Sequence, residues 1–260
     1  MMPPGGAPEA DLRDDAALAR CIADAAGQLL LCVRNSGLFT GRSLGQVGDR
    51  VANAFIMEAL KAARPEDAVL SEEEKDDPVR LTRSRVWIVD PLDGTREYGE
   101  GRDDWAVHVA LAIDGQPLVG AVAVPGLAAT FCTARPSAIF PADNRKLRML
   151  VSRSRPGADA VRVAERLAAD LVPMGSAGAK AMAVLRNEAD IYLHSGGQYE
   201  WDSCAPIAVA RAAGFHTSRA DGSPLVYNSA DVSLPDLLIC RNEHAASVLR
   251  AVAELADAPG

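Results

Sequence analysis

The stretch V-W-I-V-D-P-L-D-G-T, residues 86–95, is the part of the sequence from which the organisation of the chain can be worked out. Its apolar residues predict a buried strand that ends at Asp90, where a carboxylate is costly to bury unless a cation or several donors meet it. Pro91 fixes φ and directs the chain out of the strand. Because Asp93 follows three residues after Asp90, a tight turn can bring both carboxylates to one point.

The two residues after Asp93 add an anion-receiving turn. Gly94 permits a backbone conformation that other residues avoid and lets a ligand approach its N–H group. Thr95 can cap a following helix and offers a hydroxyl beside free N–H groups. Two hard oxygen anions next to such a turn describe a Mg²⁺ and phosphate site. The alternative is a plain strand-to-turn junction, with Asp93 in an Asx turn and Asp90 paired to an arginine.

Glu72 is the first acidic residue after an apolar strand predicted at residues 68–71. It belongs to the run S-E-E-E-K-D-D (71–77), whose other acids we interpret as a solvated loop. If strands 68–71 and 86–90 are neighbours, Glu72 and Asp90 emerge together at one edge of a sheet. The alternative is that Glu72 is solvated like the rest of its run.

A further acid stands in E-W-D-S-C-A-P, residues 200–206. Asp202 precedes a small-residue helix, so a helix N-cap is the simpler interpretation. The functional interpretation is a carboxylate that the second half of the chain delivers across an interdomain cleft.

The composition bounds the partners and the compartment. Lys and Arg total 27 and Asp and Glu 35, a formal net charge of −8 with no basic block, so we expect no nucleic-acid or anionic-membrane partner. An anionic substrate would then need a metal to receive it. The five scattered cysteines predict no disulfide framework, and the N-terminus has no signal-peptide pattern. The longest near-apolar run, 118–131, is too short to span a bilayer, so we expect a cytoplasmic protein.

The periodicity predicts two halves, residues 1–140 and 141–260, with a loop at 136–145 as the candidate boundary. The first half is antiparallel-rich α+β and the second is α/β. In the first half we expect helices at 15–33 and 50–63, a glycine-dotted loop at 37–48, and strands at 68–71, 86–90, 105–113, 117–124 and 129–134. In the second we expect strands at 147–151, 171–174, 189–194 and 236–240, and helices at 157–169, 178–187, 203–213 and 243–256.

These motifs together resemble the inositol monophosphatase-like superfamily of lithium-sensitive, Mg²⁺-dependent phosphatases. Its two signatures stand here as W-I-V-D-P-L-D-G-T (87–95) and W-D-S-C-A-P-I-A-V-A-R-A-A-G (201–214), and an upstream S-E-E stands at 71–73. The resemblance implies a layered αβαβα sugar-phosphatase fold and a homodimer. A phosphoaspartyl phosphatase would instead need D-x-D-x-T, with its two acids closer together than Asp90 and Asp93.

The resemblance also implies a set of metal ligands. Glu72, Asp90 and the Leu92 carbonyl would hold one Mg²⁺, and Asp90, Asp93 and Asp202 would hold a second. A weaker third ion would depend on Glu72.

The same resemblance assigns the phosphate and the attacking water. The Gly94 and Thr95 amides would hold the phosphate, bordered by Asp93 and Asp202. Thr95 would pair with Asp49 to polarise the water, with Glu72 completing the catalytic set. The chain departs from the family pattern before Asp49, where it reads S-L-G-Q-V-G-D, and a helix-cap role for that residue is the alternative.

The substrate side resembles the CysQ-type branch, which removes the 3′-phosphate of 3′-phosphoadenosine 5′-phosphate (PAP). The segments V-S-R-S-R-P (151–156) and G-S-A-G-A-K (175–180) carry this likeness, and Ser176 stands where the family contacts sugar or phosphate. Arg153, Arg155 and Lys180 could meet a second phosphate or could be routine surface charges. Arg155 replaces the histidine usual in the family.

We therefore expect a PAP phosphatase of sulfur assimilation that also accepts the sulfated relative of PAP. The alternatives are an inositol or fructose-bisphosphate phosphatase with the same metal site, or a degenerate metal- or nucleotide-binding member. We interpret Trp87 and Trp201 as packing residues, and His108 and His194 as core or cleft-wall residues.

Overall fold

The computed structural model describes residues 9–140 and 145–256, which form two five-stranded sheets separated and flanked by helices. The described helices are α1 (Glu9–Asn35), α2 (Gly41–Ala63), α3 (Thr95–Gly99), α4 (Ala158–Arg166), α5 (Ala177–Leu185), α6 (Glu200–Ala212) and α7 (Asn242–Ala256), with short 3-10 helices at Pro78–Thr82 and Pro125–Leu127. The strands are β1 (Ala68–Ser71), β2 (Arg85–Asp93), β3 (Ala106–Ile113), β4 (Gln116–Val124), β5 (Ala129–Cys132), β6 (Arg148–Ser152), β7 (Asp170–Met174), β8 (Ile191–Tyr199), β9 (His216–Ser218) and β10 (Ser233–Cys240).

Sheet A has the order β1-β2-β3-β4-β5, and the pairs after β1–β2 are antiparallel. Strands β1 and β2 are parallel neighbours, with Ser71 opposite Val89. The predicted adjacency of these two strands is therefore confirmed, and their carboxyl ends share one edge of the sheet.

Sheet B has the order β7-β6-β8-β10-β9. Its first three strands are parallel, as the predicted α/β alternation requires, and β10 is antiparallel to both of its neighbours. Strand β9 is an addition that the periodicity did not predict. Residues 141–144, part of the predicted boundary loop, lie outside the described residues.

Three apolar clusters define five layers. One lies between α1–α2 and sheet A, and another is shared by sheet A, α5, α6 and sheet B. The last lies between sheet B and α4–α7. The order helices, sheet, helices, sheet, helices is the expected αβαβα arrangement.

Strand β3 shows why the layers pack so closely. The large residues Val107, Val109 and Leu111 face α1 and α2, whereas Ala106 and Ala110 face α5 and α6. This is the large–small alternation that the sequence predicts. The small face lets α6 approach sheet A, and α6 carries Asp202.

The predicted loop at 37–48 is wrong from Gly41 onward, where α2 already begins. Glycines disfavour a helix interior by about 1 kcal/mol each, which is why the sequence suggested a loop. Tertiary packing overrides that preference, because α3 lies directly against α2. A Cβ at Gly45 would lie 2.7 Å from Thr95 Cγ2, and one at Gly48 would lie 2.8 Å from Tyr98 Cε1.

Residues Leu12–Asn35 of α1 are long and apolar enough to cross a membrane by length and composition alone. The sequence had placed its longest near-apolar run at 118–131 instead, and that run forms β4, a 3-10 turn and β5. In the fold, Ala23 and Leu30 of α1 are fully buried in the cluster against sheet A. Part of the apolar surface of this helix is therefore buried against sheet A.

The contact between β4 and α6 makes Gly120 sensitive to substitution. A Cβ there would lie 2.7 Å from the Ala205 carbonyl oxygen, so we expect Gly120→Ala to lower the free energy of unfolding by about 1–3 kcal/mol. Urea denaturation measures the change. Leu118→Ala, on the same strand but 45% exposed, should stay within about 0.5 kcal/mol of wild type. A fully stable Gly120→Ala protein would show that α6 moves away from sheet A without cost.

Candidate active site

The site begins where β1 and β2 end. The Glu72 N–H donates to the Val89 carbonyl at 3.2 Å, which continues the parallel ladder by one residue and brings Glu72 to the edge at which Asp90 lies. Strand β2 continues past Asp90 to Asp93, with an irregularity in its pairing between these two residues, and there the Leu92 N–H donates to Asp90 Oδ1 at 3.1 Å. The predicted strand end at Asp90 is therefore wrong by three residues. The alignment inferred from the sequence for Glu72 and Asp90 is therefore confirmed.

Three carboxylates converge at this point. Asp90, Asp93 and Asp202 each bring an oxygen within 4.8 Å of the other two. Asp90 is 1% exposed, and no arginine or lysine in residues 9–140 and 145–256 forms an ion pair with it. The alternative of an Asp90–arginine pair is wrong, and the cluster offers hard oxygen donors of the kind that bind divalent cations.

Asp93 accepts hydrogen bonds from α5 in the second half of the chain. Its carboxylate receives Ser176 Oγ at 2.5 Å, the Ala177 N–H at 3.0 Å and the Gly178 N–H at 2.6 Å. His108 Nε2 lies 3.2 Å away. Although burial would raise the pKa of Asp93, His108 and the hydroxyl donor outweigh it and lower the pKa to about 2. The Asx-turn alternative for Asp93 is therefore wrong. Its carboxylate instead accepts the N–H groups of the first turn of α5.

Asp202 is the third residue of α6, not its N-cap. Its carboxylate accepts the Tyr199 N–H at 2.6 Å and so closes the first turn of the helix. Helix α6, which lies between the two sheets, thereby places this carboxylate close to those of Asp90 and Asp93. The simpler N-cap interpretation is wrong, because Asp202 lies three residues after the N-cap Tyr199, whereas the delivery of a carboxylate from the second half is observed.

The acids around Asp90 suppress one another's ionisation. Burial, followed by the charges of Glu72, Asp93 and Asp202, raises the pKa of Asp90 well above its ordinary value. Loss of solvation and nearby acids likewise raise the pKa of Glu72 to about 7 and that of Asp202 to about 6. A cation among these groups would relieve both the repulsion and the desolvation cost.

A hydroxyl–carboxylate pair lies beside the cluster. Thr95 Oγ1 is 3.2 Å from Asp49 Oδ1 and 3.0 Å from the Leu92 carbonyl oxygen, so its proton can go to either acceptor. Asp49 lies inside α2, and the helix-cap alternative is therefore wrong. Burial and the charge of Glu73 raise the pKa of Asp49 to about 7.

The turn before α3 presents its backbone to the same space. Gly94 has φ +91°, in the left-handed region that glycine tolerates best. A Cβ there would lie 3.2 Å from Ser176 Cβ and from Trp105 Cβ, so a side chain would crowd the approach. The Gly94–Thr95 turn thus stands where the sequence placed it, but the N-cap of α3 is Gly94 and the predicted capping role of Thr95 is wrong.

A cleft of about 350 Å³ extends from the acids toward sheet B, and its walls include all three cations singled out by the sequence. Arg153 is paired with Glu97 and Glu100, each at 2.8 Å. Lys180 is 5% exposed and its ammonium donates to backbone carbonyls, including Ser176 O at 2.5 Å. The interpretation of Lys180 as a surface charge is therefore wrong.

Arg155 differs from the other two cations. It is exposed at the cleft wall, and its guanidinium has no polar partner in the described part of the chain. Of the three predicted cations it is the one available to a ligand. Its backbone is held by a bond from its own N–H to Ser152 Oγ at 3.2 Å.

The aromatic and histidine residues largely follow the prediction. Trp87 is fully buried, and His108 is a core residue whose Nδ1 lies 3.0 Å from the Trp201 carbonyl oxygen. His194 lines the cleft wall. Trp201 stacks on Tyr199 with ring centroids 4.9 Å apart, a packing contact at the cleft.

Sequence reasoning missed the acid that restrains Arg153. Glu97 is 7% exposed, lines the cleft and holds Arg153, but nothing in T-R-E-Y-G distinguishes it from a solvated helix residue. The close approach of Gly175 to Glu97 depends on how α3 meets β7, which is a long-range contact.

Comparison with known proteins agrees with this geometry. The model of the inositol monophosphatase family matches residues 40–256. A protein of Mycobacterium leprae named 3′-phosphoadenosine 5′-phosphate phosphatase is 48% identical over 263 residues, 93% of this chain and 94% of the relative. Its namesake from Mycobacterium tuberculosis is 50% identical over 88% of this chain and 90% of its own length. The 3′(2′),5′-bisphosphate nucleotidase CysQ of Escherichia coli is 32% identical, with coverages of 69% and 77%.

Solved structures show the same fold. CysQ from Bacteroides thetaiotaomicron has a TM-score of 0.77 at 25% identity, covering 88% of this chain and 97% of its own. An inositol monophosphatase from Anabaena has a TM-score of 0.76 at 21% identity, with coverages of 94% and 97%. Since the family model spans most of the sequence and the acidic motifs meet as that resemblance implies, the chain belongs to the inositol monophosphatase family.

Proposed function

We propose that this enzyme is a Mg²⁺-dependent phosphatase that removes the 3′-phosphate of PAP and of its sulfated relative, 3′-phosphoadenylyl sulfate, in sulfur assimilation. The observation that carries the proposal is the convergence of Asp90, Asp93 and Asp202 beside the Thr95–Asp49 pair, next to a cleft in which Arg155 has no polar partner among the described residues. The named activity of relatives 48–50% identical over nearly the whole chain supports this choice of substrate.

The residues present fit divalent cations. The cluster consists of carboxylate oxygens with raised pKa values at Glu72, Asp90 and Asp202, which is the electrostatic signature of a site that lacks positive charge. We propose that Glu72, Asp90 and the Leu92 carbonyl hold one Mg²⁺, that Asp90, Asp93 and Asp202 hold a second, and that Glu72 contributes to a weaker third. Bound Mg²⁺ lowers the pKa of water and neutralises phosphoryl oxygens.

The remaining groups bind and orient the reactants. The Gly94 and Thr95 N–H groups, at the start of α3, suit an anionic phosphoryl oxygen. The Thr95 hydroxyl oxygen can accept a hydrogen bond from water while its proton is donated to Asp49. This pair of hydrogen bonds would orient the water toward the phosphate. Asp49, whose pKa burial and the charge of Glu73 raise to about 7, accepts the hydrogen bond from Thr95 through its ionised carboxylate.

Arg155 suits the second phosphate of a bisphosphorylated nucleotide. We propose this role for Arg155, because Glu97 and Glu100 neutralise Arg153 and backbone carbonyls hold Lys180. Arg153 and Lys180 then shape the cleft wall on which Ser176 lies. An inositol monophosphate would leave Arg155 without a partner, which favours a nucleotide over the inositol alternative.

The state of the enzyme in the cell belongs to the same proposal. We propose a homodimer, as the family resemblance implies, in the cytoplasm. All five cysteines are free, which suits a reducing compartment.

Asp90→Asn tests the metal assignment. We expect a loss of at least about 100-fold in PAP hydrolysis, since even outer-shell substitutions cost 10–100-fold, together with loss of the rise in Tm on adding Mg²⁺. Without Mg²⁺ the variant should be more stable than wild type at pH 7, because a carboxylate with a raised pKa destabilises the fold above its unfolded pKa. That gain should disappear as the pH falls toward 3.8, the ordinary Asp value.

The control for this experiment is Asp103→Asn, an exposed carboxylate paired with Arg34 outside the cluster. It should leave the Mg²⁺ response and the activity unchanged. An Asp90→Asn enzyme with full Mg²⁺-dependent activity would contradict the proposed ligand set.

Two substitutions at Thr95 separate its hydroxyl from its methyl group. Thr95→Val keeps the methyl that packs against Gly45, but it should lose about 10²–10⁴-fold in kcat, the usual contribution of a positioned proton-transfer group. Thr95→Ser keeps the hydroxyl and should lose no more than a few-fold. Equal activities of the two variants at saturating Mg²⁺ would rule out a role for the hydroxyl.

Substrate choice is tested by Arg155→Ala on PAP, 3′-AMP, inositol 1-phosphate and fructose 1,6-bisphosphate. Wild type should have its highest kcat/KM on PAP. The variant should lose about tenfold to a hundredfold on PAP and little on 3′-AMP, since a hydrogen bond to a charged group contributes about 1.5–3 kcal/mol. Arg153→Ala is the matched control and should change the PAP to 3′-AMP ratio little. A wild-type preference for a sugar phosphate would favour the alternative function, and hydrolysis of none of them would favour a binding protein.

A further inference from the structure

A buried arginine outside the cleft joins the two stretches of chain that carry Glu72 and Asp202. Arg80 lies in the 3-10 helix Pro78–Thr82 and is 1% exposed. A buried guanidinium must be matched by acceptors on every side, because its charge cannot be removed at any ordinary pH. The identity of those acceptors therefore indicates what the residue holds in place.

On one side Arg80 holds the turn that follows β1. Its Nε donates to Asp76 Oδ1 at 2.6 Å and its Nη2 to Asp76 Oδ2 at 3.0 Å, a two-point pairing of guanidinium and carboxylate. Asp76 is four residues after Glu72 in the same loop. The pairing thus ties the segment that positions Glu72 to a buried point of the fold.

On the other side Arg80 holds the chain that supports α6. Its Nη1 donates to Asn228 Oδ1 at 2.8 Å and its Nη2 to the Ser229 carbonyl at 2.9 Å, while Asn228 Nδ2 donates back to the Arg80 carbonyl at 3.1 Å. The Asn228 and Ser229 N–H groups donate to the carboxylate of Glu200 at 2.7 and 2.8 Å. Glu200 is fully buried and is the first residue of α6, two residues before Asp202.

We propose that Arg80 is a positioning residue of the metal site, which sets the separation between Glu72 and Asp202 through Asp76 on one side and Asn228, Ser229 and Glu200 on the other. The inference rests on the proposed function, since it concerns the affinity of the acidic site for Mg²⁺. Arg80 itself touches neither the acids of the cluster nor the cleft.

The planar fork of arginine is what this bridge requires. Arg80 makes four directed hydrogen bonds to three residues, and a lysine ammonium at the same depth has three donors and no fork. Arg80→Lys therefore keeps the charge and loses the simultaneous grip on both sides. A purely structural arginine would cost stability on substitution but would leave the affinity for Mg²⁺ unchanged.

The test measures Mg²⁺ binding by calorimetry on the full chain without substrate, and the Mg²⁺ dependence of PAP hydrolysis. The variants are Arg80→Lys and Asn228→Gly. Glycine suits position 228 because Asn228 has φ +60°, so this variant removes the side-chain link and leaves the backbone bond to Glu200. We expect Kd for Mg²⁺ to rise about tenfold to a hundredfold in both. At saturating Mg²⁺, kcat should return to within a few-fold of wild type.

The matched control is Arg85→Lys. Arg85 also makes a forked pairing, to Asp67 and Asp15, but at the opposite end of β2 from Asp90. Its substitution should lower Tm without changing Kd for Mg²⁺.

The outcomes separate this inference from the proposed function. Wild-type affinity for Mg²⁺ in Asn228→Gly and in any Arg80→Lys protein that folds would overturn the inference alone, and if Arg80→Lys does not fold, Asn228→Gly decides. Wild-type protein that binds no Mg²⁺ would overturn the proposed function and the inference with it.

Discussion

Four carboxylates, those of Asp49, Glu72, Asp90 and Asp202, lie at one end of sheet A in positions where loss of solvation and neighbouring acids raise each pKa. Without a bound cation, holding these carboxylates together lowers the free energy of unfolding, because in the unfolded chain they would separate and ionise in water. The rest of the structure supplies the rigidity that this requires. The parallel β1–β2 pair and the close packing of α6 on the small face of β3 bring these side chains together, and the buried Arg80 bonds to the chain segments that follow β1 and support α6.

The site depends on contacts between elements far apart in the sequence. Asp93 ends β2, yet its carboxylate receives the first N–H groups of α5, and His108 from β3 lies against it. The same carboxylate thus joins sheet A to the second half of the chain and borders the predicted metal position. Because its oxygens are fixed by α5, the distance between the two halves at this point is fixed as well.

The local sequence pattern was sufficient to predict much of the secondary structure around the site. The acidic motifs and the alternation of large and small residues in β3 predicted the neighbouring strands and the two faces of β3, since burial imposes a period on the sequence. Strand β2 nevertheless runs three residues beyond its predicted end at Asp90. Two of the failures have one cause. The glycines of 41–48 suggested a loop because the helix that contacts them, α3, is remote in sequence, and the pairing of Arg153 with Glu97 was invisible for the same reason.

By itself the sequence determined the identity of the acids, the strand that precedes Glu72 and the strand that carries Asp90, and the resemblance that names the family. Those features rest on residue type and on spacing within a few residues. Only the tertiary structure decided which of Arg153, Arg155 and Lys180 has no polar partner in the described part of the chain, that Asp202 is the third residue of α6, and that Arg80 bonds to both the segment after Glu72 and the one that supports α6. These features depend on which charged groups the fold brings within hydrogen-bond distance of one another. Coulomb attraction and desolvation depend on distance in space and not on separation along the chain.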